Sequence, residues 1–554
     1  MSSITMEPIA IALANPSNTQ PVGSVSDDTG TTRTTYAPTR DKIPQVLKDL
    51  DVAIDTIHDD SHADYTTFTS LQRRSLTLLV GLGCITSPLT ATIYFPLLPL
   101  LRTHFRTTTQ AINLTITIYI VFQALSPLLF GPSSDTLGRR PVYLLALCIY
   151  CAGNLGLAVN KDSFATLLVM RAFQSLGASA AYAISYGIVA DICLPGERGK
   201  MLGPVNMALN LGTCIGPVVG GAVAYKSKSY ELCFWILVGL GAILFIFNLL
   251  FLPETARSLV GNGSGRQVHS RYENVWTLLK LILQHKGMSS GTRTDEEGRS
   301  TPEPVKRDIR KVLRTSNPLK CLRILLYPDA ALCLWVHGSF YVVDYSLVAA
   351  APDIFKNIYH LNELQIGLTY LTRGVGIIAG SYCNGKAMDY NFRLTAKRLG
   401  LAVDRVLGHK LSKFPLEHAR SRGSFWLLGM STITLAAYGW TVTRHVHIAV
   451  PIVLQFVLGF VQTCFYTIYS TLLVDTFPEK PSTAAAAASV VRCTMAATSV
   501  AIMQPLLEAM GYGWYFTVLG LWSGICGSAA ILLMRTKGME WRVKRMNEDP
   551  AAGR

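Results

Sequence analysis

Charged residues are scarce in this sequence. Asp, Glu, Lys and Arg together make up 15% of its 554 residues, whereas about 25% is usual in soluble globular domains. Hydrophobic residues make up 50% of the chain. This composition argues against a soluble globular protein and favours a chain that lies largely within a lipid bilayer.

The short motifs of several enzyme classes are also missing. The sequence has no Gly-x4-Gly-Lys-Ser/Thr loop, and ATP-driven pumping is therefore unsupported. It has no His-Glu-x2-His motif. Its one Gly-x-Ser-x-Gly match, GMSSG at 287–291, lies in a polar segment without the flanking hydrophobic strand that a nucleophile turn needs, which leaves a hydrolase without a supported site. We expect no enzymatic activity, no metal ion and no cofactor.

The hydrophobic residues are concentrated in twelve windows of roughly 18–25 residues, the length that crosses a bilayer as a helix. They are 76–99, 111–131, 141–159, 164–190, 201–224, 232–252, 329–352, 363–382, 424–442, 449–474, 483–507 and 513–534. A long polar segment separates the first six from the second six. We therefore predict an all-α membrane protein with twelve transmembrane helices in two six-helix halves, 75–252 and 329–534.

The Lys and Arg residues between the windows predict the orientation of the chain. Alternate connecting segments contain 36 of them on one side and seven on the other. Because cytosolic loops are enriched in Lys and Arg, we predict that the richer side and both termini face the cytosol. The first outer loop, with Arg102 and Arg106, departs from this pattern. The net charge of +15 is thus an orientation signal rather than a nucleic-acid-binding surface.

The remaining segments are predicted to lie in the cytosol. Residues 1–74 are polar, rich in Thr, Ser and Pro, and show no signal-peptide pattern, so we predict a disordered N-terminal tail. Residues 253–328 form the predicted central loop, and residues 535–554 form the predicted C-terminal tail. The predicted outer segments contain essentially no cysteine, and a disulfide framework is therefore not expected.

A charged turn, GPSSDTLGRRP at residues 131–141, lies between the second and third windows. Its residues of interest are Gly131, Asp135, Gly138, Arg139 and Arg140. Gly131 permits a tight turn or a close approach of helices, and Asp135 can stabilise a helix N-terminus. The arginines can pair with inner-surface acids such as Asp191. We interpret the turn as a polar latch on the cytosolic face; the alternative is a topology signal alone.

The same spacing recurs after the eighth window. Gly385, Asp389 and Arg393 follow one another at the four-residue steps of the first turn. Two matches at equivalent places indicate an internal duplication, with parallel halves related by an axis along the membrane normal. We therefore expect a second copy of the latch in the second half.

Glycines line one side of the fifth window. Gly212, Gly216 and Gly220 are four residues apart, and Pro217 and Gly221 lie beside them. A helix face without side chains permits close packing, and proline removes a backbone donor and favours a bend. The pattern indicates either a hinge against a neighbouring span or tight packing without motion.

Four charged residues lie well inside the windows: Arg171, Asp344, Arg373 and Arg492. A charge at a helix centre costs about 2.5–3.5 kcal/mol on insertion scales. They are candidates for proton coupling or substrate binding, and structural ion pairing is the alternative for each. Asp344 is the only carboxylate that we place deep in a span. It is the candidate proton carrier, unless it is permanently paired with Arg373 or Arg492.

Polar and aromatic side chains share helix faces with these charges. Pairs about one turn apart are Arg171 with Gln174, Tyr341 with Asp344, and Gln462 with Tyr466. Together with Tyr94, they suit a planar or weakly polar solute. Packing in the core or at an interface is the alternative for any single tyrosine.

Over roughly residues 70–540, the chain resembles the major facilitator superfamily, in the fungal branch of twelve-span drug:proton antiporters. Residues 131–140 match the family motif between the second and third spans. Residues 168–177 resemble the fourth-span motif, with Ser175 where glycine is usual, and residues 212–221 match the fifth-span antiporter motif. LPET at 252–255 closes the sixth span, as it often does in fungal members. VVRC at 490–493 and MDYNFRLTAKR after the eighth span resemble the quinidine-resistance and citrate-exporter group in particular.

The resemblance implies a secondary transporter in which spans one, four, seven and ten line a central cavity, and it implies that Arg171 is tied to proton coupling. We expect a proton-coupled exporter of drugs, xenobiotics or secondary metabolites. The alternatives are an organic-anion exporter, for citrate or a related acid, and a non-transporting sensor on the same fold. We expect a monomer in the plasma membrane, whose partners are a small-molecule substrate, protons and lipid, without nucleic acid.

Overall fold

The computed structural model describes residues 19–26, 32–38, 68–193, 198–260, 318–398, 414–477 and 481–548. The chain divides into two compact units, Met1–Thr67 and Phe68–Arg554. In the first unit, the strands Thr19–Ser26 and Thr32–Pro38 pair in antiparallel orientation. The sequence analysis did not predict these strands. The rest of this unit lies outside the described residues, and its disorder stays a prediction.

The second unit consists of long helices in two sets. The first six spans are Ser70–His104, Thr109–Leu137, Arg139–Val159, Phe164–Ile192, Arg198–Ser227 and Glu231–Phe251. The seventh to tenth spans are Pro328–Asn357, Glu363–Arg398, Ser424–Thr443 and Ala449–Thr476. The last helix, Pro481–Glu548, contains the eleventh and twelfth spans. Short helices at Arg257–Val260, Pro318–Leu326 and Leu416–Arg420 flank the spans.

Gly511 divides the last helix into two spans. Its φ of 73° and ψ of 167° are not helical, so residues 481–510 and 512–548 form separate helices. Glycine adopts a positive φ without the steric cost of a Cβ. Ten helices among the described residues are long and apolar enough to cross a membrane, with the last helix counted once. The eighth span is not among the ten, because Thr, Gly and Tyr lower its hydropathy. The layout has the twelve spans that the sequence predicts.

The first span is not one continuous helix. It consists of the helices Ser70–Cys84, Thr86–Thr92 and Leu98–His104 and a 3-10 turn at Phe95–Leu97. Proline cannot donate a backbone hydrogen bond and clashes with the preceding turn. Three prolines within this span, Pro88, Pro96 and Pro99, therefore account for its segmentation.

The two halves meet along two pairs of helices. The second span packs against the last helix, and the fifth span packs against the eighth. Gln110 of the second span donates to the backbone oxygen of Ala501, which places the eleventh span at the first of these contacts. The centre of the bundle therefore lies between elements of both halves.

Helical structure extends beyond two of the predicted segment boundaries. The first span begins at Ser70, inside the predicted tail 1–74. The twelfth span continues to Glu548, through most of the predicted tail 535–554. Residues 261–317 of the predicted central loop lie outside the described residues.

Candidate functional site

The charged turn at residues 131–141 joins the second and third spans. We call the end of the bundle that carries Asp135 the inner end, and the opposite end the outer end. Arg139 Nη1 lies 2.5 Å from Asp135 Oδ1, and its Nε lies 2.9 Å from Asp191 Oδ2. Arg139 also donates to the Ser134 hydroxyl at 2.7 Å. The structure thus brings together Asp135, Arg139 and Asp191.

Gly138, rather than Gly131, makes the turn. The second span continues to Leu137, and Gly138 follows it with a φ of 108°. A Cβ at Gly138 would lie 2.5 Å from Glu254 Oε2, whereas a Cβ at Gly131 would contact nothing within 4 Å. The interpretation of Gly131 as the turning or close-approach residue is corrected accordingly.

The buried carboxylate of Glu254 caps the third span. It accepts hydrogen bonds from the backbone N–H groups of Arg139 at 2.8 Å and Arg140 at 3.2 Å. It also accepts from the N–H of Thr255 at 2.9 Å. A negative charge is stabilised at a helix N-terminus, where backbone N–H groups lack helical partners. The Arg140 side chain donates to the Leu249 carbonyl oxygen at 2.9 Å.

The second copy of the motif is not a turn. Gly385, Asp389 and Arg393 lie on the continuous helix Glu363–Arg398 with exposed side chains. Within the described part of the chain, neither Asp389 nor Arg393 forms an ion pair. This corrects the symmetric interpretation of the repeat.

Other residues supply the ion pairs at the inner end of the second half. Arg420, on the short helix before the ninth span, lies 2.9 Å from Asp475 at the end of the tenth span. Asp191 occupies the corresponding end of the fourth span. The Arg420 guanidinium also lies 4.9 Å from the Phe392 ring centroid. The sequence analysis missed Arg420, whose spacing repeats no pattern of the first half.

The C-terminal extension of the twelfth span also binds this inner surface. Arg542 Nε lies 2.8 Å from Glu417 Oε1, and Arg545 Nη1 lies 2.7 Å from Asp329 Oδ2. Arg545 donates in addition to the Thr476 carbonyl oxygen at 3.1 Å. All four charged side chains are buried. The segment predicted as a tail is therefore part of the folded second half.

The glycines of the fifth span face two different neighbours. A Cβ at Gly212 would lie 3.0 Å from the Ile85 carbonyl oxygen, and one at Gly216 would lie 2.9 Å from the Leu89 carbonyl oxygen, both in the first span. The next glycine of this face, Gly220, packs against the Ile93 carbonyl.

Gly221 points instead to the second half. A Cβ there would lie 3.1 Å from the Cα of Gly367 in the eighth span, and the Pro217 carbonyl also packs against Gly367. Tight packing of the fifth span is present in the structure. The hinge remains a prediction.

Arg171 is fully buried near the centre of the first half. It donates to Gln174 Oε1 at 2.6 Å, and Gln174 in turn donates to Asn154 Oδ1 at 2.6 Å. Its guanidinium carbon lies 3.9 Å from the ring centroid of Tyr94 and 4.3 Å from that of Tyr119. Arg171, Gln174 and Tyr94 thus form one cluster.

Arg492 occupies a similar aromatic environment in the second half. Its guanidinium carbon lies 4.8 Å from the ring centroid of Tyr341 and 5.7 Å from that of Tyr466. Its Nη1 lies 3.5 Å from the Tyr466 hydroxyl. The predicted candidates Arg492, Tyr341 and Tyr466 therefore lie together.

Asp344 pairs with Arg373. The carboxylate of the seventh span accepts a hydrogen bond from Arg373 Nη2 of the eighth span. The side chain of Arg373 is 6% exposed and that of Asp344 is 19% exposed. In this conformation Asp344 is therefore paired with Arg373 and not with Arg492.

Two positive charges at the centre lack a carboxylate partner. Among the described residues, no Asp or Glu oxygen lies within 4 Å of the Arg171 or Arg492 guanidinium, and the Asp344–Arg373 pair neutralises itself. Aromatic rings lie beside both arginines instead, and the Gln174 amide also contacts Arg171. The site is therefore electropositive and walled by tyrosines.

Several residues of this site were missed by sequence reasoning. Tyr345 donates to Gln123 Oε1 at 3.4 Å and joins the seventh span to the second. Tyr119 stacks on Arg171, and His337 contacts Tyr466 with 5.0 Å between ring centroids. Helical spacing from Tyr341 offers a signal for His337 and Tyr345, which lie one turn before and after it. Nothing comparable marks Tyr119 and Gln123.

Two six-helix halves around a polar centre define a membrane transport protein. A solved structure, "Crystal structure of D-xylose-proton symporter", shares this fold, with a TM-score of 0.54 and 15% identity. The match covers 83% of this chain and 96% of that one. The family model of the Major Facilitator Superfamily matches residues 80–500. The chain belongs to the major facilitator superfamily, and the predicted family and fold class are confirmed.

Three fungal proteins are among the curated relatives. "MFS-type transporter phiD" of Fungal sp. is 34% identical over 480 residues, which are 87% of this chain and 70% of the relative. "Citrate exporter 1" of Aspergillus niger is 32% identical over 457 residues, 82% of this chain and 83% of the relative. "MFS antiporter QDR1" of Candida albicans is 28% identical over 487 residues, 87% of this chain and 91% of the relative.

Proposed function

We propose that this chain is a proton-coupled secondary transporter that exports small organic acids by alternating access. Its substrates would include acidic xenobiotics and acidic secondary metabolites. The observation that carries the proposal is the presence of two arginines, the buried Arg171 and the half-buried Arg492, that have no carboxylate partner among the described residues.

An arginine in the membrane interior requires compensation. Its guanidinium stays protonated, and an unpaired charge is costly in a low-dielectric environment. A carboxylate binds a guanidinium through two parallel hydrogen bonds, which adds both strength and orientation. A substrate carboxylate would therefore supply the negative charge that the protein itself does not place beside Arg171 and Arg492.

The tyrosines indicate the shape of the substrate. Tyr94 and Tyr119 cover Arg171, and Tyr341 and Tyr466 cover Arg492. Aromatic rings pack well against flat, apolar groups through offset stacking or edge contacts. We therefore favour acids with an aromatic or conjugated body. Similarity to Citrate exporter 1 supports an acidic substrate.

Proton coupling is assigned to the pair Asp344–Arg373. Protonation of Asp344 would remove its charge and release Arg373, so that a third guanidinium would become uncompensated. Proton binding on one side of the membrane would then change the charge of the central site. This links the proton to the affinity for an anionic substrate.

Uptake into inside-out vesicles under an imposed pH gradient tests this function. Labelled benzoate, citrate and an uncharged aromatic drug serve as the probes. We expect accumulation of an acid, and we expect Arg171→Ala and Arg492→Gln to reduce it by at least about tenfold, the equivalent of 1.4 kcal/mol. Arg444→Gln, at an exposed arginine of the outer end, is the matched control and should transport normally.

The second candidate is an exporter of uncharged planar drugs, which the tyrosine rings alone would favour. This second function predicts that the pH gradient drives accumulation of the uncharged drug but not of the acids. It also predicts that Arg492→Gln has little effect on drug uptake. That result would overturn the organic-acid proposal.

We further propose that the protein acts as a monomer in the plasma membrane, with both termini in the cytosol. The excess of Lys and Arg in the connecting segments on the inner side supports this orientation. Epitope tags at both ends should be protected from protease in intact cells and cleaved after permeabilisation, and cell fractionation checks the membrane.

A further inference from the structure

His337 is a buried polar residue that has no hydrogen-bond partner among the described residues. It lies on the seventh span and is 4% exposed. Neither ring nitrogen has a partner within the described chain. Its ring meets that of Tyr466 edge-on, with an interplanar angle of 80°. Because buried polar groups are nearly always hydrogen-bonded, an unpartnered imidazole calls for an explanation.

Gln462 shows the same property on the tenth span. It is 6% exposed, and both its amide oxygen and its amide nitrogen lack partners among the described residues. Three other buried amides each have one atom without a partner among the described residues: Gln455 Oε1, Asn113 Nδ2 and Asn248 Oδ1. Gln455 nevertheless donates through its amide nitrogen to the Tyr438 hydroxyl at 3.2 Å, and Gln174 donates to Asn154. Gln462 differs from them because neither of its amide atoms has a partner there.

The two residues flank the arginine of the second half. His337 lies one helical turn before Tyr341, and Gln462 lies one turn before Tyr466. Both tyrosine rings contact the Arg492 guanidinium. Residues four apart share a helix face, so both unpartnered groups lie about one turn, roughly 5 Å along the helix, from the arginine contacts.

We propose that His337 and Gln462 form a hydrogen-bonding subsite for a hydroxyl group of the substrate, while Arg492 binds its carboxylate. A neutral imidazole offers one donor and one acceptor, as does a side-chain amide. A hydroxyl both donates and accepts, and it can therefore satisfy both residues. The substrate class is then a hydroxycarboxylic acid, and this inference rests on the proposed function.

Binding of matched acids to the purified protein in lipid nanodiscs tests the subsite. Two pairs differ by a single hydroxyl: citrate and tricarballylate, and mandelate and phenylacetate. In the wild type, we expect the hydroxylated member of at least one pair to bind at least about tenfold more tightly, because a site built for a hydroxyl rejects the analogue that lacks it. Titration calorimetry gives both affinities.

Variants at the two residues should remove the discrimination and leave the acid-binding site intact. His337→Leu and Gln462→Leu should reduce the preference to less than about threefold, mainly by weakening the hydroxylated acid. His337→Asn, which keeps a donor and an acceptor, should retain part of the preference. Gln455→Leu, at the glutamine of the same helix whose amide nitrogen is bonded to Tyr438, is the matched control and should keep the full preference. If His337→Leu does not fold, Gln462→Leu decides.

Equal affinities for both members of each pair in the wild type would overturn the subsite, as would an unchanged preference in the two leucine variants. Arg492→Gln separates these failures from failure of the proposed function. If the wild type binds both members of each pair equally and Arg492→Gln abolishes this binding, the organic-acid function stands and the subsite falls. If no acid binds to the wild type, both fall.

Discussion

At the residue scale, the four central charges have different environments. Asp344 and Arg373 form an ion pair, whereas Arg171 and Arg492 contact aromatic rings. Removing one member of a buried pair leaves an uncompensated charge and typically costs about 3–5 kcal/mol. Replacing both members of the pair lowers the free energy of unfolding by less, because no unpaired charge is left. A comparison of the single and the double variant therefore separates a coupling role of Asp344 from a purely structural one.

We expect Asp344→Asn to lose pH-driven accumulation while substrate binding and downhill exchange persist. Its free energy of unfolding should fall by about 3–5 kcal/mol, because Arg373 loses its partner. The double variant Asp344→Asn with Arg373→Gln should regain most of the stability and remain uncoupled. Vesicle uptake, exchange and thermal unfolding measure these effects. Full pH-driven accumulation by Asp344→Asn would move the coupling site elsewhere.

The sequence predicts pairs along one helix better than partners across helices. The proximity of Arg171 and Gln174 follows from helical spacing. The partner of Asp344 could not be chosen between Arg373 and Arg492, because the sequence does not give the rotation of one span against another. The four charged residues were identified because a charge inside a hydrophobic window is costly. Histidine was not counted as charged, and His337 was therefore missed.

At the element scale, the two halves complete their inner ends with different pieces of chain. The first half uses Glu254 to cap the third span beside the turn at Gly138. The second half uses the short helix Leu416–Arg420 and the extension of the twelfth span. The repeat predicted symmetric turns. Arg393 is instead followed by helix-compatible residues, with no glycine before residue 400, and the eighth span therefore continues to Arg398.

Arg542→Met tests the contribution of the C-terminal extension. It should lower the free energy of unfolding by about 3–5 kcal/mol, since the Glu417 carboxylate stays buried without its guanidinium. Lys537→Met, at an exposed position of the same extension, should change stability by no more than about 0.5 kcal/mol. Thermal unfolding of the purified variants measures both. Equal stability of the two would show that the extension is dispensable.

At the scale of the whole molecule, contacts across the halves bridge the outer end. Arg102 Nη1 lies 3.4 Å from Asp353 Oδ1, and the Phe95 ring stacks on that of Tyr370 at 6.2 Å between centroids. Arg102 belongs to the outer loop that departs from the positive-inside pattern. Its pairing with the seventh span gives this departure a structural reason.

Asp353→Asn should shift the protein towards conformations that are open at the outer end. Spin labels at Arg106 and His447 lie on the outer ends of the two halves. In Asp353→Asn, double electron–electron resonance should show a larger share of long distances between them. The swapped pair Arg102→Asp with Asp353→Arg should restore the original distribution. Because a partly exposed ion pair contributes about 1 kcal/mol or less, we expect a change of up to about fivefold in the population ratio. An identical distribution in Asp353→Asn would exclude a gating role.

The ion pairs of the C-terminal extension also constrain biosynthesis. Glu417 is translated 125 residues before Arg542, which neutralises it. While the last four hydrophobic windows are synthesised, the nascent second half therefore holds an acidic group whose partner has not yet been translated. A premature stop codon after the twelfth window would yield a product with every span inserted and this charge unmatched. Cellular quality control would encounter that product as unfinished, although its hydrophobic segments are complete.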